Sequence, residues 1–205
     1  MPLTPLALPD AELALDPAWL PGGEADALFA ELRATIPWHV HRLRLFGREV
    51  DSPRLSCWIG DPDASYAYSG TRFQPRPWTD ALRPLRKQLQ SELGTDFNSV
   101  LANLYRDGRD RMGWHSDDER ELGGRPLIAS LSLGAPRRFV LKRKAAHPEL
   151  VEGRDDPSVK LTLELPHGSL LLMGGDTQAH YKHALPATAK PIGARINLTF
   201  RRIVC

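Results

Sequence analysis

The chain has 205 residues, 41% of them hydrophobic and 25% charged, enough for one domain with its own core. The formal net charge of +2 is too small to argue for a nucleic-acid partner by itself, although basic residues cluster in "RRFVLKRK" (137–144) and "FRR" (200–202). Two cysteines, Cys57 and the terminal Cys205, do not make a disulfide framework and point to a reducing cytoplasm. The opening "MPLTPLALPD" lacks the basic start and apolar run of a signal peptide, and no apolar stretch is long enough to span a membrane.

Residues 1–23 carry five prolines and read as an extended lead-in. "EADALFAELRATIPW" places Leu28, Phe29, Leu32 and Ile36 at helical spacing, after Gly22-Gly23 and before Pro37. Residues 38–70 alternate less cleanly and read as a hairpin-rich cover. "WTDALRPLRKQLQSELG" predicts a second helix, with Thr79 as a cap, Pro84 in or just after the first turn and Gly94 at the end.

From residue 98 the pattern changes to short strands bounded by Gly, Pro and Asp. These are "SVLANLYR", "PLIASLSLG", "RRFVLKRK", "VKLTLELP", "GSLLLMGG" and "ARINLTFRR", with a polar loop, "KAAHPELVEGRDDPS", between the third and fourth. Several short strands at this spacing predict a sandwich or jelly roll.

Three pieces of this half carry chemistry. "WHSDDE" sets His115 and Asp117 two places apart. Alone it reads as a solvated turn. "HYKHALP" offers His180 or His183 as a further ligand, and two histidines with one carboxylate suit a non-heme iron(II) centre with open positions. In "ARINLTFR" strand periodicity puts Arg195, Asn197, Thr199 and Arg201 on one face and Ile196, Leu198 and Phe200 on the other. The polar face reads either as an edge facing water or as a site for an anion, since arginine clamps carboxylates with paired hydrogen bonds. Asn103 and Tyr105 of "ANLYR" share a face in the same way.

Together, a His-x-Asp, a downstream histidine and Arg-x-Asn-x-Thr-x-Arg, in that order, resemble the AlkB family of Fe(II)- and 2-oxoglutarate-dependent nucleic-acid demethylases. The resemblance runs from about residue 46 to 203 and is strongest in "NLYRDGRDRMGWHSDDERELG", "IASLSLGAPRRFVLK", "HGSLLLMGG" and "HALP…ARINLTFR". These runs look like the branch that works on duplex DNA. It implies a mainly β fold with flanking helices: a double-stranded β-helix, or jelly roll, with two N-terminal helices packed on one sheet. It also implies one domain, with residues 1–75 as N-terminal extension and nucleotide-recognition lid and 76–205 as catalytic core.

By resemblance, His115, Asp117 and His183 hold iron(II). Arg195, helped by Tyr105, pairs with the far carboxylate of 2-oxoglutarate, while Arg201 and Asn103 serve the end nearer the metal with Asn197 as helper. Six residues of strand separate the two arginines by about 20 Å, so they do not grip one carboxylate together. O₂ is the second cosubstrate. The substrate expected is alkylated DNA, single- or double-stranded, carrying 1-methyladenine or 3-methylcytosine, with release of formaldehyde. RNA, a protein or a small molecule are alternative substrates, and a non-catalytic jelly-roll binding module is the alternative outside enzymes.

A base in a duplex must be flipped out to reach such a metal, and flipped bases are stacked between flat side chains. Tyr68 of "SYAYSG" and the ring of His115 are the expected walls, with Glu119, or less directly Asp118, on the base edge. Phe46 of "RLFGRE" matches the finger that wedges into the stack. Arg44, Arg48, Arg106, Arg109, Arg111 and 142–144 are expected phosphate contacts. A cytoplasmic monomer is expected.

Overall fold

The computed structural model describes residues 2–45, 48–68, 71–144 and 159–204. In chain order the elements are β1 (Thr4–Leu6), β2 (Glu12–Asp16), α1 (Gly22–Thr35), β3 (His39–Leu45), β4 (Arg48–Gly60), β5 (Tyr66–Tyr68), β6 (Thr71–Phe73) and α2 (Leu82–Leu93). There follow β7 (Ser99–Tyr105), β8 (Met112–His115), β9 (Ile128–Gly134), β10 (Arg137–Arg143), β11 (Lys160–Leu165), β12 (Leu170–Gly174), α3 (Thr177–His180), β13 (Tyr181–Leu185) and β14 (Arg195–Arg201). Eight strands form a major sheet in the order β1-β2-β12-β9-β14-β7-β4-β3, four form a minor sheet in the order β11-β10-β13-β8, and β5-β6 is a separate hairpin. From β7 onward the chain passes back and forth between the two large sheets, and every strand pairing is antiparallel. This is the jelly roll expected.

Two apolar layers follow from alternation along the strands. On one face of the major sheet, Val100 and Ala102 of β7, Leu131 and Leu133 of β9 and Ile196, Leu198 and Phe200 of β14 pack with Leu32 of α1 and Leu82, Leu85 and Leu89 of α2. Between the two sheets, Ile128, Leu171 and Met173 meet Phe139, Leu141, Leu165 and Tyr181. Each fully buried Leu or Phe contributes roughly 1.5–3 kcal/mol of transfer free energy, so both layers bind their sheets firmly. Both N-terminal helices therefore cover the same sheet face, leaving the other face to build a cavity.

The elements differ from the sequence expectations in several places, among them β8, α3 and β13, none of which was expected. The lead-in forms β1 and β2, and β1 is an edge strand, where the missing N–H of Pro5 costs no ladder bond. The cover at residues 38–70 is part of the major sheet: β4 pairs with β7 from Leu55↔Leu104 to Gly60↔Ser99. Its hydrophobic alternation is broken because β4 also pairs with β3, with a register shift between Val40 and Arg42. Gly22 and Gly23 lie inside the first turn of α1, after Pro21, instead of before it. The loop at 145–158 lies outside the described residues. Strands before and after residue 75 thus share one sheet.

Helix α2 ends as expected on Gly94 in the left-handed conformation (φ 62°). Thr79 accepts from the Leu82 N–H through both its hydroxyl and its carbonyl, and Pro84 falls in the first turn, where an N–H has no helical partner to lose. The helix is clamped to the end of β4 by Asp61. Arg86 donates to both carboxylate oxygens at 2.8 Å, and Trp78 Nε1 donates to one of them, also at 2.8 Å. Burial works to raise the Asp61 pKa, but the Arg86 and Trp78 hydrogen bonds outweigh it and hold the pKa below its ordinary value.

Asp61→Asn is expected to lower unfolding free energy near neutral pH by about 1–3 kcal/mol, the scale of hydrogen bonds to a charged group. Because the folded-state pKa is depressed, this contribution is present above the unfolded value near 4 and is lost as pH falls below it. Urea denaturation at about pH 6 and about pH 3 checks both points: the gap between wild type and variant narrows in acid.

Candidate metal centre

Strands β8 and β13 are neighbours in the minor sheet, and their register sets His115 directly opposite His183. The two rings lie 4.2 Å apart between centroids and meet edge-on at 65°. The chain leaves β8 at Ser116, whose hydroxyl donates to the Tyr181 carbonyl (2.8 Å). Asp117 follows, its N–H bonded to the side-chain oxygen of Gln178 (2.9 Å). These two bonds turn the Asp117 carboxylate inward, where it is almost fully buried. One oxygen lies 3.9 Å from His115 Nε2, and the other lies 3.9 Å from His183 Nε2. Ligand-competent atoms of all three residues fall within 4.8 Å of one another.

Protonation suits a cation. His115 Nδ1 lies 2.9 Å from the Gly113 carbonyl, which favours a proton on Nδ1 and leaves the Nε2 lone pair facing Asp117. Burial lowers the pKa of both histidines, and for His183 burial together with its neighbour His115 brings it down to about 3. Burial works to raise Asp117, but the Arg201 guanidinium beside it, then the two histidines, hold it below the usual carboxylate range. The centre is thus two neutral imidazoles and one carboxylate. Asp117 Oδ1 accepts from Arg201 Nη2 (2.8 Å), while Oδ2 is buried with no hydrogen-bond donor among the described residues. A buried carboxylate oxygen left unsatisfied is costly, and a divalent cation held by His115, Asp117 and His183 would remove the cost.

The polar face of β14 supplies the rest. β14 is central, between β9 and β7, and its polar face is covered by the minor sheet: Arg195, Thr199 and Arg201 are buried and line one cavity with residues of β8, β10 and β13. Its rows are fixed by register: Arg195 stands opposite Tyr105 and Asn197 opposite Asn103 on β7, with Asn197 opposite Ser132 and Thr199 opposite Ser130 on β9. Arg195 is 1% exposed, and its Nη2 donates to the Ser132 hydroxyl (2.7 Å), yet Nε and Nη1 have no acceptor among the described residues. Burial lowers its pKa to about 10, which still leaves it cationic at neutral pH. A buried guanidinium with two idle donors is a seat for an anion, and a carboxylate matches its fork. Asn103 accepts from Arg54 Nε through its side-chain oxygen (2.7 Å), so its amide N–H₂ remains to donate into the cavity. Asn197 is committed to the Ser130 hydroxyl and the Leu131 carbonyl. His115, Asp117, His183, Asn103, Tyr105, Arg195, Asn197 and Arg201 all line this one cavity.

Of the two histidines left open by the sequence, His183 joins the cluster; His180 ends α3. The residues expected on a substrate are less uniformly placed. Glu119 is half-buried two residues beyond Asp117. Asp118 is exposed and accepts from Lys144 Nζ (2.9 Å), and Arg106 grips both oxygens of Asp110 (2.8 and 2.9 Å). Arg109 is likewise held by Asp107. Tyr68 ends β5, and Phe46 lies outside the described residues. Sequence reasoning missed Ser130, Ser132, Arg54 and Gln178. The two serines alternate on β9 in "ASLSLG" and were open to the same face argument as β14. Arg54 and Gln178 meet their partners 49 and 61 residues away, and no local pattern marks them.

Comparison with known proteins agrees with this geometry. The family model described as the 2OG-Fe(II) oxygenase superfamily matches residues 12–201. The chain is 39% identical over 187 residues to DNA oxidative demethylase ALKBH2 of Bos taurus, covering 88% of this chain and 65% of that protein. Human ALKBH2 is 39% identical over 184 residues, 88% of this chain and 69% of the relative. The human alpha-ketoglutarate-dependent dioxygenase alkB homolog 3 is 38% identical over 198 residues, 94% of this chain and 66% of the relative. The chain thus spans just under two thirds of the length of the bovine protein. Among solved structures, that of OsALKBH1 superposes with a TM-score of 0.63 at 15% identity, covering 98% of this chain and all of the other, a likeness of fold. The chain belongs to the 2OG-Fe(II) oxygenase superfamily and, within it, to the AlkB family, whose chemistry draws on Fe(II), 2-oxoglutarate and O₂.

Proposed function

We propose that the protein removes N-methyl groups from bases of alkylated DNA, of the 1-methyladenine and 3-methylcytosine type, by oxidation. The observation that carries this reading is one cavity holding both a His-Asp-His cluster with an unsatisfied carboxylate oxygen and a buried arginine with idle donors. Relatives named DNA oxidative demethylases, 39% identical over most of the chain, supply the substrate class.

In this reading His115, Asp117 and His183 hold the iron. Arg201 bonds Asp117 Oδ1, which keeps the carboxylate ionised, the form in which it would hold the metal. Arg195, steadied by Ser132 and with Tyr105 alongside, takes the far carboxylate of 2-oxoglutarate, and Asn103 donates to its nearer end; Asn197, whose amide is held by Ser130 and Leu131, is a neighbour of that end and not a direct donor. The bound iron, with 2-oxoglutarate and O₂, supplies hydroxylation of the N-methyl carbon, with succinate and CO₂ as coproducts. The hydroxymethyl group then breaks its C–N bond, giving formaldehyde and the restored base. The protein's own contribution is positional. Apolar walls, with Phe139 packed 5.3 Å from the His183 ring, limit water around the cluster, and the fixed register holds cosubstrate and target at one spot. Tyr68 and the His115 ring stack the flipped base, Glu119 meets its edge, and Phe46 fills the gap left in the duplex. Asp118 and Arg106 are weaker substrate contacts, since each already holds an ion-pair partner.

Aerobic incubation with Fe(II), 2-oxoglutarate, ascorbate and an oligonucleotide carrying 1-methyladenine tests the reading. Mass spectrometry is expected to show loss of one methylene's mass, absent with His115→Ala. Succinate without a change in the oligonucleotide would move the substrate elsewhere. Asp117→Ala is expected to abolish iron binding in a direct titration while the far-UV circular dichroism is kept; retained binding would remove Asp117 from the ligand set. Phe46→Ala is expected to slow repair in duplex DNA several-fold more than in single strands, and equal losses would dismiss the wedge.

A further inference from the structure

The outward face of the minor sheet is unusual in its charge. Leu141 is fully buried between the sheets and His183 faces the cavity, so their neighbours Lys142 on β10 and Lys182 on β13 point outward. Register sets Lys142 opposite Lys182 on one side and opposite Lys160 of β11 on the other. Three lysines therefore stand in one row across three strands, a span of about 10 Å. Like charges directly opposite one another are destabilising. Among the described residues, no ion pair relieves these three; the acidic residue on that face, Glu164, stands opposite Arg138, four residues along each strand. The Lys142 ammonium instead lies 4.3 Å from the ring centroid of Trp114, which is 42% exposed. Trp114 is the chain neighbour of His115, so the lysine row ends in an exposed aromatic beside the metal centre.

Resting on the demethylase reading, we propose that Trp114 and the row Lys142, Lys160 and Lys182 form a track for the single strand that flanks the flipped base. Trp114 stacks an unmodified neighbouring base and the lysines follow its phosphates. The chemistry fits this occupant on two counts. A flat indole accepts any base, because every base has a π-face, and a row of ammonium groups without an ion pair among the described residues matches a chain of regularly spaced anions. Position sets the route: Trp114 and His115 alternate to opposite faces of β8, the outer strand of the minor sheet among the described residues, so the flanking strand rounds that edge between the cavity and the indole. The track gives affinity with little sequence preference and is independent of which base is damaged.

The test uses the full chain and a fluorescent oligothymidylate without damage, read by anisotropy over a range of salt. The triple variant Lys142→Gln, Lys160→Gln, Lys182→Gln is expected to lower the slope of log affinity against log salt by about 2, at roughly 0.7 per lost phosphate contact. Trp114→Ala is expected to weaken oligothymidylate binding about tenfold, the scale of one lost base stack, while leaving binding of heparin, a polyanion without bases, unchanged. Turnover of 1-methyldeoxyadenosine monophosphate, too short to reach the track, is expected to be kept by the triple variant. An unchanged slope, or equal loss of heparin and oligothymidylate in Trp114→Ala, would overturn the track, the second by pointing to an acidic protein or surface as the partner. Binding with the expected signature but no demethylation by wild type would sink the demethylase reading and leave the track standing.

Discussion

Strand β14 has no neighbour to spare. It lies between β7 and β9 in the centre of the major sheet, and both of its faces are buried. One face, Ile196, Leu198 and Phe200, meets the helices; the other, Arg195, Asn197, Thr199 and Arg201, meets the space between the sheets. An alternation of apolar and polar residues usually means one dry face and one wet one. Here the wet face is enclosed, and two guanidinium groups are taken out of bulk water. The architecture is built around that constraint. Tyr105, Asn103, Ser130 and Ser132 stand opposite the strand in register to receive its polar groups, and the minor sheet closes the cavity from above with the metal cluster.

Charge balance in the cavity follows from the same enclosure. Buried charges persist where they are paired. Arg201 is matched by Asp117, but Asp117 also faces two histidines that burial keeps neutral. Arg195 has a hydroxyl partner and no carboxylate within bonding distance. The protein alone is thus incomplete in two complementary places: a carboxylate oxygen without a donor and a guanidinium without an anion. A divalent cation answers the first and a dicarboxylate the second. That complementarity ties the family's cofactors to the residues of this chain.

Outside the cavity the basic residues divide by partner. Arg106, Arg109, Arg143 and Lys144 each hold an aspartate, at Asp110, Asp107, Asp10 and Asp118, and their charge is largely spent within the fold. The lysine row of the minor sheet is not spent in this way. The mild net charge of +2 hides this distinction, because it is the local unmatched charge that a polyanion meets.

β8 and β13 were not read from the sequence as strands, but the sequence by itself indicated the other six strands of the second half, the two helices, and the His115, Asp117, His183 and Arg195 set. Each of these is written in local periodicity or in residue order that the family resemblance recognised. It determined less where the information is non-local. β2 and β4 were read as lead-in and cover because their places depend on pairing with β12 and β7, far along the chain. The choice between water and an enclosed cavity for the polar face of β14 depended on that strand being central, which alternation cannot report. Arg54 and Gln178 entered the site through contacts across 49 and 61 residues. The lysine row exists only once three strands are in register, since Lys160 and Lys182 are unremarkable in their own segments and Lys142 was read only as part of a basic cluster. Periodicity fixes which side of a strand a residue takes; only the pairing of strands decides what it faces.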